Sequence, residues 1–233
     1  MITVRSSLQR GKEQRNWLDS RHTFSFGNYH NPEYMGFRSL RVINEDFIQP
    51  CTGFPSHGHS DMEIITYVIE GTVEHKDSLN SHTTIKSGEI QCMSAGAGII
   101  HSEYNPSKAE ILHLLQIWIL PNKSSSEPNY QQRKIYLESN INKMTLIVSD
   151  NGEKDTLLIQ QDVNIYASQL SFEETVIHEM SVSRYGWIQV IQGRISINSI
   201  PLEAGDGAAI SQETSLEIRG TKQNNEFLFF DLK

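Results

Sequence analysis

Two short stretches of this chain carry side chains that could bind a metal together. They are Phe54-Pro55-Ser56-His57-Gly58-His59-Ser60-Asp61-Met62-Glu63 and Ala95-Gly96-Ala97-Gly98-Ile99-Ile100-His101-Ser102-Glu103. Each holds a pair of donors spaced i, i+2. Successive side chains of a strand point to opposite faces, so donors two apart point the same way. If both stretches are strands, His57 projects with His59, and His101 with Glu103. Two such strands facing each other inside a small barrel would offer three imidazoles and one carboxylate. That donor set suits a divalent transition metal, and six-coordinate iron would keep two positions open for substrate and oxygen. Glu63 joins the face of His57 and His59 if the first strand runs on unbroken. It is then a fifth ligand, an outer partner of the ligands, or a pocket acid. Gly96 and Gly98 would let the chain turn just before the His101 strand. A lone His-x-His or His-x-Glu is common on solvated loops; the two pairs together, in strand-rich sequence, point to a metal site.

Short apolar runs must position these donors. Ile64 to Ile69, Ile111 to Leu120, Met144 to Val148 and Trp187 to Ile191 are rich in Ile, Val, Thr and aromatics. Turn residues bound them: Glu70-Gly71, Ser87-Gly88 and Asn151-Gly152. This is the pattern of an all-β sandwich or barrel. Pro121 to Asn129, a serine run between prolines, reads as a linker, and residues 130–139 could hold a short helix. The domains expected are 1–121, a linker over 122–139, and 140–233.

A faint repeat supports two β units. Gly71 and the residues after it resemble Gly193 and its followers, and Ser87-Gly88-Glu89 resembles Ala204-Gly205-Asp206. Counting from these anchors places His57, His59 and Glu63 on Glu179, Ser181 and Tyr185, and His101 and Glu103 on Ile218 and Gly220. Only Glu179 could ligate, so the second half is expected to bind no metal.

Composition narrows the function classes. Twenty Lys+Arg against twenty-eight Asp+Glu give a net charge of −8, which argues against direct nucleic-acid binding. No apolar run reaches the ~18 residues of a membrane helix, and the N-terminal residues lack a signal-peptide core. Two cysteines, Cys51 and Cys92, are too few for a disulfide framework and are expected as reduced thiols. A soluble, cytoplasmic monomer is the expectation.

The first cluster resembles the first cupin motif, Gly-x5-His-x-His-x3/4-Glu-x6-Gly. This chain reads Gly53-x3-His57-x-His59-x3-Glu63-x7-Gly71. The second cluster departs from the second cupin motif: Ser94 stands where proline is usual, and the Asn after the histidine is missing. Its His101-Ser102-Glu103 ending is similar to the mark of the pirin family. Arg21-His22-Thr23-Phe24-Ser25-Phe26-Gly27 and Leu114-Leu115-Gln116-Ile117-Trp118-Ile119-Leu120-Pro121 agree.

The resemblance implies a bicupin, two β-barrel (jelly-roll) domains packed face to face, with metal in the N-terminal one only. It implies His57, His59, His101 and Glu103 as ligands, with Glu63 outside them, and Fe(II) as the metal; Mn, Ni, Co, Cu or Zn remain open. Bacterial pirins resemble quercetin 2,3-dioxygenases, which open a flavonol with O2 and release carbon monoxide. Nuclear pirins resemble redox-sensing transcriptional co-regulators, so a non-catalytic metal-bound sensor with a protein partner is the alternative. In the enzyme reading Glu103 or Glu63 takes the substrate hydroxyl's proton. Phe24, Phe47, Met93, Gln116 and Trp118 are candidate pocket residues, each with a competing reading as ordinary core. His22, His30, His75, His82, His113 and His178 lack a paired ligand and are taken as structural.

Overall fold

The computed structural model describes residues 1–233, with Lys154 described by its backbone alone. Apart from three short 3-10 turns, its regular structure is strand. The chain forms two compact units. The N-terminal unit comprises Gly11–Ile135 and Leu157–Gln161; the C-terminal unit comprises Met1–Arg10, Tyr136–Thr156 and Asp162–Lys233.

Each unit pairs a larger sheet with a four-stranded one. In the N-terminal unit the larger sheet runs Asn129–Lys134, Glu89–Ser94, Glu63–Glu70, Leu112–Ile119, Leu40–Ile48, Leu18–His22, Gly11–Gln14, with every neighbour pair antiparallel. The smaller sheet runs Gly53–His59, Ile99–Tyr104, Thr72–Asp77, His82–Lys86. Ile48, Val68, Val73, Ile85, Leu112 and Leu114 form one apolar cluster of this unit. In the C-terminal unit the larger sheet runs Ile2–Arg5, Gly207–Ile210, Tyr185–Gln192, Asn225–Leu232, Val163–Leu170, Thr145–Ser149. Its smaller sheet runs Thr175–Glu179, Ser215–Gly220, Arg194–Ile197, Ile200–Glu203. Ile188, Ile195, Ile218, Phe227 and Phe229 lie in its core.

The units divide the chain differently from the sequence-based boundaries. Ile2–Arg5 pairs with Gly207–Ile210 and so belongs with the C-terminal residues. Asn129–Lys134, expected within a linker, is an edge strand on Glu89–Ser94. The expected short helix over 130–139 reduces to this strand and the 3-10 turn Leu137–Ser139. The serine-rich loop before it is pinned: Ala97 N–H donates to Ser126 O, and Ser125 N–H to Asp61 Oδ1. Edge strands leave no compositional break, because only one side needs a partner. That is why the sequence concealed both.

The repeat anchors have the same backbone role. Gly71 and Gly193 each close a tight turn after an eight-residue strand, with φ of 84° and 78°. A side chain is strained at such φ, and a Cβ on Gly71 would meet Ile111 O at 3.1 Å. Gly71→Ala should therefore destabilise the protein by about 1–2 kcal/mol, read as a lower urea midpoint with an unchanged m-value; an unaltered midpoint would count against the turn geometry.

Candidate metal centre

The ladder of the smaller N-terminal sheet brings the two donor pairs together. His101 lies directly opposite His57, and Ile99 opposite His59. Beyond His101 the register slips, so that Glu103 faces Phe54. The histidine strand thus carries an extra residue there, a bulge that re-aims side chains. Pro55 sits in the slip, where its missing N–H costs no ladder bond. Ring centroids lie 4.8 Å apart for His57–His59, 4.5 Å for His57–His101 and 5.0 Å for His59–His101. One ring nitrogen of each comes within 4.8 Å of the others.

Electrostatics keep these rings available as donors. Burial holds His59 down at about 4 and His101 down at about 3, and neighbouring imidazoles push the same way. Both are neutral at pH 7. His57 Nδ1 lies 2.8 Å from Pro55 O. A carbonyl only accepts, so Nδ1 carries the hydrogen, and in the neutral ring Nε2 is the free lone-pair donor. Glu103 is held from the larger sheet: Thr66 Oγ1 donates to Oε1 at 2.9 Å, and Gln116 Nε2 to Oε2 at 2.8 Å. One lone pair on each oxygen remains.

The group fits a metal. Neither nitrogen of the buried His101 has a hydrogen-bond partner, and an unpaired buried polar atom is costly. A divalent cation would supply the partner, and neutral imidazole with carboxylate is the donor chemistry of Fe, Ni, Co and Zn alike.

The other candidates scatter. Gln116 and Trp118 line a cavity of about 310 Å³ that also takes in His57, His59, His101 and Glu103. Trp118 stands edge-on to His59, with centroids 4.9 Å apart. Phe24 and Met93 are buried and do not line this cavity. Phe47 stacks on His113 at 4.1 Å, likewise away from it. The condition that would put Glu63 on the face of His57 and His59, one unbroken strand, is not met. The first strand ends at His59, Asp61 turns with φ 48°, and Glu63 starts a strand of the other sheet. Glu63 there accepts Ser94 Oγ at 2.7 Å, and burial raises its pKa. Cys51 is exposed, and Cys92 is buried, which pushes its thiol well up.

Two further residues stand at the site. His75, taken as structural, is fully buried beside the centre, and its ligand atom lies within 4.8 Å of those of His101 and Glu103. Its Nε2 donates to Asp77 at 2.9 Å. His75-x-Asp77 obeys the same i, i+2 rule as the other pairs, and that signal would have found it. Asp46, which lines the cavity, is almost wholly buried; burial raises its carboxyl to about 7.

Register also revises the counted repeat. Val176 faces Ile218, and His178 faces Leu216. With Ile218 matched to His101, His57 and His59 correspond to Val176 and His178. The counted positions Glu179 and Ser181 are three residues off, because His178 precedes Tyr185 by seven residues whereas His59 precedes Glu63 by four. His178 packs on Tyr166 and Phe229.

The chain matches the family model described as Pirin over residues 3–119, and the model described as Quercetinase C-terminal cupin domain over 146–232. It is 44% identical over 232 residues to the quercetin 2,3-dioxygenase of Escherichia coli (strain K12), covering 100% of this chain and 99% of that protein. The crystal structure of YhhW from Escherichia coli superposes with a TM-score of 0.96, covering 100% of this chain and 98% of that one at 44% identity. The bacterial pirin YhhW in complex with nickel(II), from the same organism, gives 0.95 at 44% identity, covering 100% of this chain and 99% of that one.

Two predictions follow from the geometry. Thr66→Val and Gln116→Leu each remove a donor to Glu103 and should weaken metal binding by about 10–100-fold. Competition against a chromogenic chelator measures this, and unchanged affinity in both would contradict the support assigned to the pair. Asp46 gives a pH signature. A carboxyl whose folded pKa is raised penalises the fold as it ionises; the penalty is absent below about pH 4 and complete above about pH 7. Asp46→Asn should thus gain on the parent steadily across that window, by up to about 4 kcal/mol. Urea titrations of the metal-free protein from pH 4 to 8 test it, and a flat difference would refute it.

Proposed function

This chain belongs to the pirin family, and on that footing we propose that it is a metal-dependent dioxygenase that opens flavonol-type substrates with O2 and releases carbon monoxide. The observation that carries the reading is the meeting of His57, His59 and His101, with Glu103 beside His101, in the lining of one mainly apolar cavity. The ligands in this reading are His57, His59, His101 and Glu103, with Fe(II) or Ni(II) as the ion.

A bound divalent ion would supply Lewis acidity toward the flavonol's 3-hydroxyl and an open position for O2. The chain's own residues do the rest. Glu103 keeps a free lone pair on each oxygen, so one can accept the hydroxyl proton while Thr66 and Gln116 hold the carboxylate still. His57, locked by Pro55 O, presents a fixed nitrogen. Trp118 and Phe26, edge to face at 5.3 Å, with Phe54 and Ile64, offer flat apolar walls that exclude water from an electron-rich aromatic ring.

Metal analysis of the purified protein combined with an aerobic quercetin-bleaching assay is the test. One ion per chain is expected, with flavonol and O2 consumed together. Activity should vanish with chelator and return with metal. His57→Ala/His59→Ala/His101→Ala should co-purify with almost no metal while keeping its far-UV spectrum. Glu103→Gln should lower kcat by about 10²-fold or more with a smaller effect on KM. Full turnover by the metal-free protein would sink the mechanism.

A further inference from the structure

The cavity has a second polar wall, away from the four proposed ligands. Ser20 and Asp46 are directly opposite on neighbouring strands. Asp46 is 2% exposed, and its carboxyl accepts one side-chain hydrogen bond, from Ser20 Oγ at 2.5 Å. Asn44, two residues along the same strand, shares its face and is opposite Gln116. Because Gln116 donates its amide nitrogen to Glu103, its oxygen is fixed as the free end, and that oxygen is buried without a partner. Asn44 Oδ1 is also buried and unpartnered. All four residues line the cavity.

The wall is therefore rich in acceptors that lack donors, and buried acceptors of this kind discriminate strongly for a ligand that brings the missing hydrogen. Leu18, Phe26, Phe54 and Trp118 add apolar and aromatic surface to the lining, which also takes in Glu13, Arg15 and His22. A flat aromatic body with a hydroxyl donor satisfies both surfaces. At about 310 Å³ the cavity is at the small end for organic ligands, so a ligand that reaches the imidazoles also reaches this wall.

We propose that Asp46, with Ser20, Asn44 and the free oxygen of Gln116, forms a specificity subsite that accepts a hydrogen bond from a phenolic hydroxyl of the substrate remote from its metal-binding end. This rests on the aromatic-substrate reading given above and names the feature of the substrate that the site selects. No covalent step is involved: the hydroxyl donates and the acceptors receive.

The test compares ligands that differ by one hydroxyl. Metal-loaded parent protein and Asp46→Ala are titrated anaerobically with 3-hydroxyflavone and with derivatives carrying one added hydroxyl, at the 7 or the 4′ position. Neither derivative is a catechol, so the added group cannot chelate the ion by itself. The parent should bind at least one derivative about tenfold or more tightly than 3-hydroxyflavone. Asp46→Ala should erase that difference and keep its metal content. Ser20→Ala should reduce the preference without abolishing it. A preference that survives in Asp46→Ala, or that is absent from the parent, overturns the subsite while leaving the flavonol reading intact. If the parent binds none of these compounds, the flavonol reading falls and takes the subsite with it.

Discussion

The Glu103 carboxylate rises from the smaller sheet and is gripped by two donors of the larger one, Thr66 and Gln116. A buried carboxylate is tolerated only when it is hydrogen-bonded or paired. Here the larger sheet supplies the hydrogen bonds, and His101 with its neighbouring imidazoles could hold a cation. The grip fixes the carboxylate's distance from both sheets, and His101, two residues earlier on the same strand, is fixed with it. The polar row continues sideways: Gln91 is opposite Thr66, Thr66 opposite Gln116, Gln116 opposite Asn44, and Asn44 opposite His22. A row of polar side chains through a β interior is costly unless used. Its use here is to hold one carboxylate and to face one cavity.

The donors were legible because a strand has period two. His-x-His and His-x-Glu announce their shared faces without any knowledge of the partner strand. The direct opposition of His57 and His101 was not legible, since register depends on a bulge at Pro55 that no local pattern marks. Asp46 and Asn44 were hidden for a different reason. They sit in Leu40–Ile48 on its buried face, while Arg41 and Glu45 on the other face are half-buried; polar residues on both faces leave no alternation that marks Asn44 and Asp46 as interior. Glu63 shows the limit of parity. The rule holds only within one strand, and three residues at Ser60–Met62 carry the chain from one sheet to the other. The all-β class and the two-unit organisation were readable from turn residues and short apolar runs. The places of the edge strands Ile2–Arg5 and Asn129–Lys134 were not.

The two units give an internal control on what makes a site. Matched by register, the row Gln91, Thr66, Gln116, Asn44 of the N-terminal unit becomes Ala208, Ile188, Phe229, Tyr166 in the C-terminal unit. The candidate donor positions His57, His59, His101 and Glu103 become Val176, His178, Ile218 and Gly220. The substitutions are concerted. Where the carboxylate is gone, so are its two donors, and the space is filled by Ile188 and Phe229, both fully buried. Burying such side chains contributes about 1.5–3 kcal/mol each, whereas an amide or hydroxyl left there without a carboxylate to bind would cost a comparable amount. Restoring ligands alone to the C-terminal unit would therefore place a carboxylate at Gly220 against apolar side chains, with nothing to orient it. The difference between the two units lies as much in the interior residues of their larger sheets as in the histidines that first draw the eye.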